Sequence, residues 1–544
     1  MPAFVMCQCS FYFCRTEKRI QWNCSYLFSF DNGGTFNMKI LKFIFSRFTF
    51  MILMVILQLF ILFAISHWFF GAAGWIQEVL QVLSVLIILY IIKNSKHLSS
   101  DMLWIVLIMI APIPGAALYL FVIAEIFISK TFRALVAETS MARKYYEQDP
   151  AVLQEMEEKA PAVKGQFRYI SKSAGFPFYR NTGFNYYPLG DDGYPVFLEE
   201  MRKAEKFIFL EYFIIEEGTM WNGMLDILEA KAKEGVEVRV MYDDLGSFTT
   251  LSGSYAKQLE QKGIKCIPFN RINPIIGIIM NHRDHRKLMV IDGKTAFSGG
   301  VNLADEYINV KKIHGHWKDN IIRITGDAVW SYTVMFLTHW NALRHEDDDY
   351  TKYKTDAIIP GAADGYIAPY GETPFSHEIT AQNIYMGILN QASDYVYIMT
   401  PYLIIDTEFI NALILAAKHG VDVRLMTPGI PDKRIVWDVT RSYYRQLIEG
   451  GVKIYEYTPG FVHAKVFVSD DRIATVGTVN LDYRSLYLHF ENGTYLFDSK
   501  VVKEIRDDFL QAQEQSHLMK AEEVKNGPVK EILLAILRVI APQM

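Results

Sequence analysis

The stretches HRKLMVID (residues 285–292) and HAKVFVSD (residues 463–470) repeat one pattern of polar side chains. In both, a lysine follows the histidine after 2 residues, an aspartate after 7, and an asparagine after 17. One match to such a short pattern is weak, but two matches in one chain indicate a duplicated unit. The shared residues are His285, Lys287, Asp292 and Asn302 in the first copy, and His463, Lys465, Asp470 and Asn480 in the second.

Three further pairs of segments repeat in the same order along the chain. In each copy a strand-like run is followed by a helical stretch and another strand-like run, which predicts βαβ units. The strand-like runs are continuously apolar, as strands covered on both faces are. We therefore expect an α/β fold of two pseudo-symmetric repeats, residues 150–360 and 361–520, whose mainly parallel sheets pack together. The paired segments are KFIFLEYFII (206–215) with YVYIMTPYLII (395–405), AKEGVEVRVMYDD (232–244) with AKHGVDVRLMTPG (417–429), and LEQKGIKCIPF (259–269) with LIEGGVKIYEY (447–457).

The two His–Lys pairs are suited to phosphodiester chemistry. Residues i and i+2 of a strand point to the same face, so His285 lies beside Lys287 and His463 beside Lys465. Two repeats related by a pseudo-twofold axis can bring both pairs to one cleft. One imidazole can then attack phosphorus while the other protonates the leaving oxygen, and the ammonium groups neutralise the non-bridging oxygens. This chemistry requires no metal or cofactor, and the sequence contains no metal-ligand constellation.

Four carboxylates near the motifs have open roles. Asp292 and Asp470 belong to the repeated pattern as candidate catalytic residues, but an aspartate at a strand end is also a common turn former. Asp319 in HWKDN and Glu491 in LHFEN lie in apolar, strand-like runs, where an unpaired carboxylate is costly. We expect these two to bind the second nitrogen of each imidazole and fix its tautomer; the alternative is a structural salt bridge.

The first quarter of the chain carries most of the apolar excess. The chain has 544 residues and a formal charge of −5, which excludes a generally basic nucleic-acid binder. Residues 48–66 and 103–124 are each long and apolar enough to cross a bilayer, and residues 72–92 are a weaker candidate. Residues 38–135 are therefore predicted to form a membrane region of two or three transmembrane helices in a multi-pass protein of the cell membrane. The basic residues around these segments do not fix its orientation.

The two ends of the chain are predicted to lie outside the repeats and the membrane region. Residues 1–37 are interpreted as a non-native or disordered extension, because Met38 opens the basic and apolar run MKILKFIFSRF. Four of the five cysteines precede Met38, so no disulfide framework is implied, and no CxxC pair supports a metal site there. Residues 527–544 are predicted to form an amphipathic helix, which either lies on a membrane or packs on the protein.

The duplicated HxKxxxxD pattern with its asparagine resembles the signature of the phospholipase D superfamily, over residues 167–518. Several stretches resemble cardiolipin synthases in particular. One departure is His489, because the family usually has asparagine at that position. The stretches are YDDLGS (242–247), HRDHRKLMVIDG to SGGVNLADEY (282–307), HWKDN (316–320) and GTVNLDYRSLYLHFE (477–491).

The resemblance implies transfer of a phosphatidyl group between two phosphatidylglycerol molecules, giving cardiolipin and glycerol through a phosphohistidine. It implies His285 as nucleophile and His463 as general acid and base, although the two could be exchanged. The two lysines and the two asparagines of the pattern would bind phosphate oxygens. Alternatives are a phospholipase D hydrolase, a transferase using another alcohol, and a membrane scaffold with an inactive site. A nuclease is disfavoured, since the chain is not basic. The expected partners are phosphatidylglycerol and membrane lipids, without nucleic acid; the oligomeric state is open.

Overall fold

A computed structural model describes residues 60, 64, 74–95, 98–272, 281–347, 349–355, 364–376 and 378–543. The chain divides into two compact units, Met1–Phe60 and Ile61–Met544, and all described residues except Phe60 lie in the second. The predicted extension at residues 1–37 lies outside the described residues, as does the predicted span at residues 48–66 apart from Phe60 and Ala64.

The described chain begins with a group of helices. No helix of the described residues is long and apolar enough to cross a membrane. The predicted span at residues 103–124 is divided at Ala111 between α2 and α3. A Cβ atom on Gly115 would lie 2.9 Å from the Cα atom of Ile108, so the chain bends sharply there. The helices before the first strand are α1 (Gly74–Asn94), α2 (Leu98–Ile110), α3 (Pro112–Ile128), α4 (Lys130–Ala142), α5 (Pro150–Lys159) and α6 (Lys164–Arg168).

The first half contains a seven-stranded sheet in the order β1-β8-β6-β5-β2-β3-β4. Its strands are β1 (Thr182–Tyr187), β2 (Phe207–Tyr212), β3 (Glu237–Asp243), β4 (Lys265–Phe269), β5 (Lys287–Ile291), β6 (Thr295–Gly299) and β8 (Ile321–Gly326), with the short β7 (His316–Lys318) outside it. Its helices are α7 (Gly190–Arg202), α8 (Thr219–Lys233), α9 (Tyr255–Gln261) and α10 (Val329–Arg344).

The second half contains an eight-stranded sheet in the order β19-β13-β12-β10-β15-β16-β18-β9. Its strands are β9 (Tyr366–Glu372), β10 (Tyr395–Met399), β12 (Asp422–Pro428), β13 (Lys453–Tyr457), β15 (Val466–Ser469), β16 (Ile473–Gly477), β18 (Glu491–Phe497) and β19 (Ser516–Leu518). The short strands β11 (Leu403–Ile404), β14 (Gly460–Val462) and β17 (Leu481–Asp482) lie outside it. Its helices are α11 (Thr380–Gln391), α12 (Thr407–Lys418), α13 (Arg434–Glu449), α14 (Lys500–Glu514) and, after the sheet, α15 (Pro528–Ile540).

The prediction of mainly parallel sheets is wrong, because both sheets are mixed. Only β2–β3 and β3–β4 are parallel in the first sheet, and only β10–β12 and β12–β13 in the second. The strands that carry the motif are joined to the next strand by tight turns, so β5–β6 and β15–β16 pair antiparallel. The continuous apolar runs reflect burial on both faces, which the layered packing provides without parallel pairing.

The two sheets share one apolar core. Side chains from both sheets, such as Phe209 and Met399, meet there together with residues of α10 and α14. The predicted division at residue 360 lies within residues 356–363, outside the described part. Residues 150–178, assigned by the sequence to the first half, instead pack through Met156 and Phe167 into the second half's own core. Residues 150–178 therefore belong to the first half by the sequence prediction but to the second half by their packing.

Two of the short backbone pairings between the halves precede the motif histidines. Strand β14 of the second half runs parallel to β7 of the first, with Phe461 opposite Trp317. In the pseudo-symmetric pairing, Asp284 forms a parallel bridge with Phe490. Each half therefore places the residues before its motif histidine along the residues that precede a carboxylate of the other half, Asp319 or Glu491, and these pairings bring both halves into one site.

Helix α15 packs on the protein, which is one of the two alternatives that the sequence left open. One face packs on α13, where Leu534 is buried and Arg538 donates a hydrogen bond to Oγ of Ser442 at 2.9 Å. The opposite face leaves apolar side chains exposed, namely Val529, Ile532, Leu533 and Ile536.

Candidate active site

The backbone before each motif histidine is fixed by the opposite half. The His285 N–H donates to the carbonyl oxygen of Phe490 at 2.9 Å, and the His463 N–H donates to that of Lys318 at 2.7 Å. Asp243, in the YDDLGS stretch, adds a further anchor because its Oδ2 accepts the Asp284 N–H at 3.0 Å. Both imidazoles are held on rigid, hydrogen-bonded backbone rather than on free loops.

Each imidazole binds a buried carboxylate from the other half. Nδ1 of His285 lies 2.9 Å from both oxygens of Glu491, and Nδ1 of His463 lies 2.6 Å from Oδ2 of Asp319. Both carboxylates are fully buried. An ionised carboxylate can only accept, so Nδ1 carries the proton and Nε2 keeps its lone pair in the neutral ring. The sequence named both carboxylates without saying which imidazole each would serve.

The motif lysines are buried beside their own histidines. Nζ of Lys287 donates to the carbonyl oxygen of His285 at 2.7 Å, and Nζ of Lys465 likewise donates to that of His463. Burial lowers the pKa of Lys287 to about 8 and that of Lys465 to about 7, although Asp319 and Glu491 oppose the shift. A bound anion would restore the charge of both ammonium groups.

The two His–Lys pairs lie close enough to act on each other electrostatically. Burial lowers the pKa of His285 well below its usual value, and the charges of Lys287, Lys465 and His463 lower it further. Burial and Lys465 likewise lower the pKa of His463 to about 4, although Asp319 acts to raise it. These mutual effects require the four groups to be close together. Both imidazoles are therefore neutral near pH 7 in the free protein, which leaves each ring a nitrogen lone pair.

Comparison with known proteins assigns the family. The model described as "Cardiolipin synthase, PLD-like domain" matches residues 197–331 and 385–512. A cardiolipin synthase of Halalkalibacterium halodurans is 31% identical over 476 residues, covering 86% of this chain and 94% of the relative. An uncharacterized protein of Streptococcus mutans is 43% identical over 457 residues, covering 84% of this chain and 99% of the relative.

The chain belongs to the cardiolipin synthase family. It is a phosphatidyltransferase of the phospholipase D type, and the resemblance found in the sequence is confirmed. Each matched region of this cardiolipin synthase domain contains one His–Lys pair, so each corresponds to one repeat. The crystal structure of phosphatidylserine synthase from Haemophilus influenzae shares the fold, with a TM-score of 0.54 and 16% identity over 70% of this chain and 98% of that one.

Asp292 and Asp470 lie away from the His–Lys pairs of this cardiolipin synthase fold. Asp292 accepts three backbone N–H groups, from residues 205–207, and Asp470 accepts three from residues 393–395. Both have positive φ, 55° and 54°, as turn residues often do. Strand β5 separates Asp292 from Lys287 by about 16 Å. Their contacts support the turn-forming role that the sequence left open.

The two motif asparagines are not equivalent. Oδ1 of Asn302 accepts the Ile214 N–H at 3.1 Å, and its Nδ2 donates to the hydroxyl of Tyr307 at 2.7 Å. Oδ1 of Asn480 is buried and has no hydrogen-bond partner among the described residues. The free Oδ1 of Asn480 can accept a hydrogen bond from a ligand hydroxyl group, whereas both amide atoms of Asn302 are engaged in holding the protein.

The sequence analysis assigned no role to several residues around the imidazoles. Oγ1 of Thr478 donates to Glu491, and the ring of His489 lies 5.6 Å from that of His285, centroid to centroid. A buried cluster behind His285 joins Nδ1 of His339 to Glu211 at 2.8 Å. Burial and the nearby Asp284 raise the pKa of Glu211 to about 7. Aligning Gly299-Gly300 with Gly477-Thr478 could have drawn attention to Thr478, and aligning HWKDN with LHFEN to His489, whereas His339 carries no motif.

Proposed function

We propose that this chain transfers a phosphatidyl group from one phosphatidylglycerol to a second, giving cardiolipin and glycerol. The observation that carries the proposal is the pair of buried carboxylate–His–Lys sets, centred on His285 and His463, that act on each other in one cleft. The named cardiolipin synthases among the relatives support the choice of substrates.

In the first step His285 acts as the nucleophile. Its Nε2 lone pair attacks the phosphorus of a phosphatidylglycerol, and the bond from phosphorus to the glycerol headgroup oxygen breaks. His463 protonates that oxygen, so glycerol leaves and a phosphatidyl-histidine remains. The anionic phosphodiester raises the pKa of His463 when it binds, which makes the imidazolium available only with substrate present.

In the second step the headgroup hydroxyl of another phosphatidylglycerol is the acceptor. His463, now neutral, removes the hydroxyl proton while the oxygen attacks phosphorus. The bond from phosphorus to Nε2 of His285 breaks, which releases cardiolipin and restores both imidazoles. Lys287 and Lys465 neutralise the non-bridging oxygens in both steps, and Asn480 donates to one of them. The burial of all four basic groups keeps water from competing with the acceptor.

We also propose that the enzyme works as a multi-pass protein of the cell membrane, embedded by residues 38–135. The apolar segments of that region and the exposed apolar face of α15 support this placement. Alkaline carbonate extraction of membranes from producing cells tests it. The protein should stay in the pellet, and release into the supernatant would contradict embedding.

Product analysis with one defined lipid tests the reaction. Detergent-solubilised protein incubated with phosphatidylglycerol alone should give cardiolipin and glycerol in equal amounts. Phosphatidic acid as the main product would instead indicate the hydrolase, and addition of other alcohols would reveal a different acceptor. No turnover, with a folded protein, would indicate an inactive scaffold.

A further inference from the structure

The two half-sites place different side chains at one equivalent position. HWKDN aligned with LHFEN sets Trp317 against His489. The Trp317 ring lies 5.5 Å from the His463 ring, tilted by 42°, and the His489 ring lies 5.6 Å from the His285 ring, tilted by 44°. The two rings are therefore placed alike beside their histidines but differ chemically, because only His489 offers a nitrogen lone pair.

His489 is a buried polar side chain with an unused bonding capacity. Its side chain is 8% exposed, and neither ring nitrogen has a hydrogen-bond partner among the described residues. Its Nδ1 lies 3.7 Å from Oε1 of Glu491, beyond hydrogen-bond distance. Its backbone N–H is fixed on the carbonyl oxygen of Arg484 at 2.8 Å. Buried polar groups are nearly always satisfied, so an unsatisfied imidazole beside the reacting histidine calls for a ligand.

We propose that His285, His489 and Glu491 form a zinc-binding site. One donor atom from each residue lies within 4.8 Å of the others. A tetrahedral zinc ion with bonds of about 2.0–2.1 Å holds its donor atoms about 3.3 Å apart. The separations from Glu491, 2.9 Å to Nδ1 of His285 and 3.7 Å to Nδ1 of His489, bracket that value. The two imidazole donor atoms are at most 4.8 Å apart, so side-chain rotations that bring them to about 3.3 Å complete the set and leave the fourth position for water.

The donor set selects the kind of cation. Two imidazoles and one carboxylate suit zinc, whereas magnesium and calcium prefer oxygen ligands throughout. Lys287 and Lys465 repel any cation, which further disfavours ions that bind imidazole weakly. A second buried group of the described residues, Glu211, Asp284 and His339, has similar donors. There the guanidinium of Arg286, 3.8 Å from Glu211, already supplies the cation, so that group does not need a metal.

The consequence for catalysis rests on the proposed function. In the working state the Nδ1–H of His285 binds Glu491 and Nε2 holds the lone pair. Zinc on Nδ1 moves the proton of the neutral ring to Nε2, which then has no lone pair to attack phosphorus. Bound zinc is therefore inhibitory, and His489 makes the enzyme zinc-sensitive.

Zinc binding is measured on the full chain in detergent, by competition with a fluorescent zinc chelator. Wild-type protein is compared with His489→Asn, with His489→Trp, which copies the second half-site, and with His419→Asn, which removes an exposed imidazole. Both His489 variants should need at least about 10-fold more zinc for half-saturation, and His419→Asn should match wild type. Cysteines are the same in all four proteins. Equal affinity in wild type and both His489 variants, or the absence of wild-type binding, would overturn the site.

The inhibitory consequence is measured separately. Turnover of phosphatidylglycerol is titrated with zinc, and each variant is compared with its own metal-free rate. Wild type and His419→Asn should be inhibited at a zinc concentration at least about 10-fold lower than the His489 variants, reversibly by chelator. Magnesium at the same concentrations should not inhibit. If all four proteins are inactive without zinc, while zinc binding still depends on His489, the proposed function is refuted and the zinc site is not. If zinc inhibits all four proteins equally, the inhibitory site is refuted and the proposed function is not.

Discussion

The two half-sites reach the same hydrogen bond by different means. Around His285 the longer carboxylate Glu491 is held in place by the hydroxyl of Thr478. Around His463 the shorter Asp319 packs on Gly300, where a Cβ atom would lie only 2.0 Å from Oδ1. Gly300 and Thr478 occupy equivalent motif positions. The comparison shows that duplication preserved the contact to Nδ1 rather than the residues that support it.

The largest effects should come from the imidazoles themselves, and they should be alike in both half-sites. His285→Ala and His463→Ala should each lower kcat by at least about 10³-fold, because both steps need both rings. Single-turnover assays should separate the roles, since His285→Ala removes the covalent adduct whereas His463→Ala only slows its formation. Near-normal turnover in either variant would end the two-histidine mechanism.

Gly300→Ala should disrupt the hydrogen bond between Asp319 and His463 in the second half-site. The added methyl group displaces Asp319 and so misplaces His463, which should lower kcat by about 10²-fold. Gly165→Ala is the matched control, because a Cβ atom there meets nothing within 4 Å. Activity assays and thermal unfolding of both variants check this. Full activity in Gly300→Ala would show that Asp319 does not orient His463.

The two lysines should set the alkaline limit of the reaction. Burial lowers the pKa of Lys465 to about 7 and that of Lys287 to about 8, so the free enzyme loses ammonium charge as the pH rises through this range. We expect kcat/KM to fall about 10-fold between pH 7 and 8, where the first ammonium charge is lost, and about 100-fold per pH unit above pH 8, where both are lost. On the acid side it should fall as His285 is protonated, because the ring then loses the lone pair that attacks phosphorus; burial and the charge of Lys287 hold the pKa of His285 well below its usual value.

A matched variant sharpens the pH profile. In Lys465→Arg the guanidinium stays charged at all these pH values, so only Lys287 loses its charge. The pH at which kcat/KM begins to fall should therefore move from about 7 to about 8, whatever the remaining activity. An alkaline limb near the ordinary lysine pKa of about 10.4 would contradict the burial of these groups.

Thr478→Ala should have the smallest effect. It removes one donor to Glu491, but His285 still contacts both oxygens of that carboxylate at 2.9 Å. We expect kcat to fall by less than about 10-fold, with Thr478→Ser restoring it. A loss as large as that of Gly300→Ala would mean that the two half-sites depend equally on this position.

Local pattern was enough to predict the repeat, the two His–Lys pairs and the carboxylates Asp319 and Glu491. It could not predict that each carboxylate serves the other half, since that depends on strand pairings between segments more than a hundred residues apart, such as β7 with β14. The mixed pairing of the sheets could not be predicted either, because burial on both faces gives the same apolar run in parallel and antiparallel strands. Asn302 matched the pattern, yet its contacts to Ile214 and Tyr307 depend on the folded chain.

A crystal structure with bound vanadate tests the shared cleft most directly, since vanadate adopts the five-coordinate geometry of a phosphoryl group under attack. We predict a single vanadium with Nε2 of His285 and Nε2 of His463 on opposite sides, each about 3 Å or less from it or its apical oxygen. Lys287 and Lys465 should contact its equatorial oxygens. Vanadate held by one histidine alone, or by each histidine in separate pockets, would contradict the account.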